Sequence, residues 1–132
     1  MLKITQGNFI TILLEHLPQI NDSWVAFQQE WADNKEGIPH YLFISDIARY
    51  VVEHKDSIDL RHFFMSVERI EIYGDHYCRE AITVGLLEDI QNNLLRLNIP
   101  LSHFDEFLGK ETKKFWGKVI DFWEEGKLIT DN

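Results

Sequence analysis

Two carboxylates stand side by side in an otherwise apolar stretch, Thr83-Val84-Gly85-Leu86-Leu87-Glu88-Asp89-Ile90. Paired acids serve general acid/base and glycoside chemistry when both converge on one substrate atom. Neighbours on a helix diverge by about 100°, so Glu88 and Asp89 do not meet that condition. The other chemistry-bearing residues are equally dispersed. His16, His40, His54, His62, His76 and His103 fall one per element or loop, and none forms the His-x-x-x-His spacing of a helical zinc site. Asp59-Leu60-Arg61-His62 is the nearest approach to the Glu-x-x-His pattern of di-metal bundles, and it has no second copy. Cys78 is the single cysteine, which reads as a small buried apolar residue suited to a reducing compartment. The seven glycines are spread along the chain, so no phosphate-cradling loop or nucleophile elbow can be built. The expectation is a protein without metal, cofactor or catalytic residues. A small metal-dependent or hydrolytic enzyme, its site assembled from distant segments, is the most distant alternative.

Burial is the sharper question for the acids. Glu88 shares a helical face with Ala81, Val84, Asn92 and Leu95, and Asp89 lies between Cys78, Ile82 and Gly85. A carboxylate there is costly unless it finds a partner. Arg49 and Arg79 are candidate partners, and Asp46, Arg49, Glu88, Asp89 and Asn92 form a candidate structural polar network. Asp46, Arg49 and Glu53 also stand at i, i+3 and i, i+4 spacing, as exposed ion pairs do. Glu53, Glu68, Glu71 and Asp75 are expected to face solvent together and to offer an acidic surface for a partner. Trp24 and Trp31 form a narrow stripe on a short helix and are the aromatic candidates for binding, whereas Phe63, Phe115 and Trp123 are expected in the core.

The elements that must position these groups are helices. Apolar residues recur at helical spacing in about 7–17 (Phe9, Ile10, Leu13, Leu17), 22–34 (Trp24, Phe27, Trp31) and 39–54 (Ile44, Ile47, Ala48, Val51). Pro39 suits a first helical position. A fourth helix is expected from Ser57 or Ile58, and Gly74-Asp75 reads as its glycine stop followed by the next helix's N-cap. The stretch of about 75–97 is apolar on every side, the mark of a helix in the middle of a bundle. A short helix over 102–108 and an amphipathic one over 110–126 complete the chain. The spacing predicts an all-α bundle of five to seven helices, hairpin-packed around the central one, in one domain spanning residues 1–132.

Composition narrows the function. With 132 residues, 45% of them hydrophobic, the chain can bury one core of ordinary size. No run of about 20 apolar residues is present to span a membrane, and the N-terminus lacks a signal-peptide pattern. A soluble, cytoplasmic protein is expected. Its 22 acidic and 13 basic residues give a net charge of -9, spread along the whole chain. Such a field repels phosphate backbones and favours basic partners, so nucleic acid and membrane are excluded as expected partners and a protein is favoured.

Three segments carry a family resemblance: Leu42-Phe43-Ile44-Ser45-Asp46-Ile47-Ala48-Arg49-Tyr50, Thr83-Val84-Gly85-Leu86-Leu87-Glu88-Asp89-Ile90-Gln91-Asn92, and Leu108-Gly109-Lys110 through Trp116. In order and interval, from Tyr41 to Trp123, the chain resembles small helical bacterial immunity proteins found beside polymorphic or contact-dependent toxins. The resemblance implies a cytoplasmic, non-enzymatic protein that neutralises one toxin by covering its active or substrate-binding face. Acidity fits a basic toxin domain such as a nuclease. A helical adaptor or regulatory module that binds some other protein is the alternative.

Overall fold

The middle of the stretch that reads as apolar on every side, Ala81–Leu87, becomes the centre of the structure, while Leu95 and Leu97 near its end are 49% and 42% exposed. Residues 3–125 are described in the computed structural model, and within them the fold is all-α, with seven α-helices and no strand. They are α1 (Phe9–Leu14), α2 (Asn21–Glu30), α3 (His40–Glu53), α4 (Leu60–Tyr73), α5 (His76–Glu80), α6 (Glu88–Arg96) and α7 (Lys110–Glu125). Pro18–Ile20 and Leu101–Phe107 are short 3-10 turns. Between α5 and α6 the chain does not leave the helix: Ala81–Leu87 winds as a π-helix, so 76–96 is one continuous helical run. The expected 75–97 helix is thus present, but with a wider middle. Gly126, the expected end of the last helix, lies outside the described residues.

The widened segment is closely packed. Gly85 meets the Tyr41 ring, and a Cβ on Gly85 would sit 3.2 Å from Tyr41 Cδ1. Ala81, Ile82, Thr83, Gly85, Leu86 and Leu87 are all buried. α3 packs along the π segment and α6, while α7 packs against α4 and the π segment. α1 covers α4, and its Phe9, Ile10 and Leu13 join Phe63, Phe64, Ile70, Ile82 and Leu86 in one hydrophobic cluster.

Helix ends obey local chemistry. Asp59 starts α4 by accepting a hydrogen bond from the His62 N–H at 3.1 Å, and its other oxygen meets His62 Nδ1 at 2.6 Å. The Asp-x-x-His spacing is therefore a helix cap, and it moves the start of α4 from the expected Ser57 or Ile58 to Leu60. Pro39 stands one place before α3, as its N-cap residue. Gly74 ends α4 with extended backbone, φ -73° and ψ 155°, rather than the left-handed turn usual for such a glycine. Close approach explains it: a Cβ there would come within 2.5 Å of the Ile70 carbonyl and 3.1 Å of Cys78 Cβ. The crowding comes where Ile4 pairs with Gly74 and accepts a hydrogen bond from the Asp75 N–H at 3.1 Å.

One core expectation needs correction: Trp123 is 41% exposed. Phe115 is half-buried and packs at the edge of the core, with the Lys114 and Lys118 ammonium nitrogens 5.2 and 5.3 Å from its ring centre. The buried line of α7 runs instead through Thr112, Trp116 and Val119. Phe63 is fully buried. Phe63→Ala should therefore cost about 3 to 5 kcal/mol, and Trp123→Ala no more than about 1 kcal/mol. Urea denaturation measures both; equal losses would contradict this assignment of the core.

Candidate binding face

The acids expected to form one surface are divided by the fold. Glu68 does not face solvent freely. Its carboxylate accepts hydrogen bonds from the Glu111 and Thr112 backbone N–H groups at 3.0 and 2.8 Å and from the Thr112 hydroxyl at 2.7 Å. It therefore caps α7 from α4, across 44 residues of sequence. Burial would raise its pKa, but these bonds to the charged form outweigh it and hold the carboxyl below the usual range. Gly109 permits the approach, because any Cβ there would collide with the Glu68 side chain.

Glu71 departs furthest from expectation. It is only 2% exposed, so it cannot offer charge to a partner. One oxygen accepts a hydrogen bond from the Thr83 hydroxyl at 3.0 Å, within the π segment, and the other has no partner among the described residues. Burial pushes its pKa up to about 7 despite the Thr83 bond and the attraction of Arg79, with Glu68 and Glu111 adding to the rise. Asp75 is the N-cap of α5: it accepts from the Cys78 N–H at 2.9 Å, and this bond holds its pKa down. Trp24 is also withdrawn, 6% exposed, with its ring against Phe27, His40 and Phe43. Trp31 is half-buried at the edge of that cluster, 6.2 Å from Phe27. Of the acids expected to face a partner, only Glu53 is both exposed and unused by the fold.

The expected polar network is likewise divided. Burial raises the pKa of Asp89, and the neighbouring Ser45 side chain of α3 opposes the rise. Glu88 is also raised, first by burial and then by Asp89. Asn92 is exposed. Neither Arg49 nor Arg79 pairs with Glu88 or Asp89. Arg49 Nη2 instead reaches Asp46 Oδ1 at 3.2 Å, with both side chains more than half exposed.

Asp46, Arg49 and Glu53 do meet in one place. With Ile20, Ser23, Phe43 and Tyr50 they line an open groove of about 220 Å³ between the start of α2 and the outer face of α3. Helical spacing positions them, since 46, 49 and 53 rise along one side of α3. Phe43 and Ile20 add apolar groups to the lining, and the fold does not bury its charged side chains. Ile20, Ser23 and Tyr50 were not foreseen, because nothing in their spacing shows that the 18–20 turn folds back over α3.

Among the described residues no three His, Cys, Asp or Glu side chains stand close enough to hold a metal, and no helix is long and apolar enough to cross a membrane. Cys78 is buried, and burial together with Asp75 pushes its thiol up to about 12, far from the range of a reactive thiolate.

These features define an all-α bundle with a mixed-charge groove along α3. The chain belongs to the family described as Domain of unknown function (DUF7674), whose model matches residues 10–124. It matches no curated protein and no solved structure.

Glu71 gives the clearest pH signature. Below about pH 4.5 it is protonated folded or unfolded; between there and about pH 7 only the unfolded chain releases the proton, so stability falls as pH rises. The loss levels off above pH 7 at roughly 3 kcal/mol. Glu71→Gln should cancel this term, so the variant should gain on the wild type by about that amount between pH 4 and 8. A stability difference independent of pH would contradict the assignment.

Proposed function

We propose that the protein works by binding: it neutralises a partner toxin by docking the α2/α3 face against it, without chemistry of its own. The observation that carries this reading is the α3 groove, where Asp46, Arg49 and Glu53 remain solvent-accessible while Glu68, Glu71 and Asp75 are taken up by caps and core. Charges without structural work on a rigid helix are available for recognition at little cost in stability. The toxin class comes from the resemblance to helical immunity proteins, and the net charge of -9 suits a basic partner.

The test is co-expression of the chain with the toxin domain encoded beside its gene. The wild type should protect and co-purify. Replacing Asp46→Asn, Arg49→Gln and Glu53→Gln together should leave the urea midpoint unchanged and weaken binding about tenfold or more, 1.4 kcal/mol at least. Undiminished protection by the triple variant would move the interface elsewhere. Absence of any association with the neighbouring toxin would remove the immunity reading and favour the adaptor.

A further inference from the structure

The groove's charge and size point to what enters it. Its lining carries two carboxylates, Asp46 and Glu53, and one guanidinium, Arg49. This local charge of -1 is neutralised by one added cation. Its volume, about 220 Å³, falls below the roughly 300–1,000 Å³ of small-molecule sites and suits a single side chain. Its lining sets half-buried Ile20 and Tyr50 and buried Phe43 beside the exposed Ser23, Asp46, Arg49 and Glu53. That combination of apolar and charged groups matches a side chain with a hydrocarbon stem and a cationic end.

We propose that the groove receives one long cationic side chain, lysine or arginine, presented by the partner. This rests on the reading of the α2/α3 face as the binding surface and names what that surface recognises. The stem lies along Ile20 and the Tyr50 side of the groove. The cationic head meets Glu53, which has no ion-pair partner among the described residues, and shares Asp46 with Arg49. The existing Arg49–Asp46 contact is a single 3.2 Å bond between side chains 57% and 53% exposed, so turning Arg49 aside costs only a fraction of a kcal/mol. An anionic side chain would find only Arg49 and would face both carboxylates.

The proposal can be tested without the partner. Full-length, isotope-labelled protein is titrated with the N-methylamides of Nα-acetyl-lysine and Nα-acetyl-arginine, and backbone amide shifts are followed. The N-methylamides of Nα-acetyl-norleucine and Nα-acetyl-glutamate supply the apolar stem alone and the opposite charge. The cationic probes should shift amides around Ile20, Ser23, Phe43 and Tyr50 at millimolar concentration, and the effect should fade with salt. Glu53→Gln should weaken the cationic probes about threefold, the size of an exposed ion pair. Arg49→Gln should strengthen them by a similar factor, because a competing cation is removed. Opposite signs from two exposed substitutions separate recognition from general damage to the fold. Shifts with the norleucine or glutamate probe equal to those with the cations would overturn the proposal, as would an absence of shifts at the groove. Either failure would leave the binding reading to the co-expression test, which does not depend on what enters the groove.

Discussion

A helix buried on all sides can keep its backbone satisfied internally, but every polar side chain it carries must be met by a neighbour. The buried part of the central run, Ala81–Leu87 with Ile90, Gln91 and Leu94 of α6, imposes that constraint on the rest of the molecule. Thr83 is met by Glu71 of α4 at 3.0 Å. Gln91 donates to the Trp116 carbonyl of α7 at 3.1 Å. Two helices are thereby fixed to the centre by specific polar contacts, α3 packs along it as well, and their placement decides which charges remain for other work.

Charge in this protein is consequently divided by position. Asp59 and Asp75 stay local, each starting its own helix. Glu68 acts at long range and joins α4 to the start of α7. Glu71 is held in the centre, where burial favours its neutral form near pH 7. The outer side of α3 is covered most closely at its beginning, where the rings of Trp24 and Phe27 of α2 lie tilted against Phe43. Beyond that overlap Asp46, Arg49 and Glu53 remain accessible, and the groove forms at the boundary.

The helices and the central run could be read from apolar periodicity because they depend on neighbours within a turn or two. The groove's charged edge was legible for the same reason, as 46, 49 and 53 belong to one helix face. The roles of Glu68 and Glu71 were not. Their partners, Thr112 and Thr83, lie 44 and 12 residues away, and on α4 both acids look like ordinary surface positions. Trp24 and Trp123 were exchanged for a related reason. A stripe of three aromatics on a short helix and an apolar arc on a long one cannot reveal which meets another element. The π segment left no periodic signal, although Gly85 among larger apolar residues marks where Tyr41 comes close.

Native-state hydrogen exchange tests most directly whether the central run organises the fold. Amides of Ile82 to Leu94 should exchange slowest, only through global unfolding, while those of α2, which buries Trp24 alone, should open locally and exchange much faster. Protection of α2 equal to that of the central run, or local opening of the π segment well below the global unfolding free energy, would contradict the account.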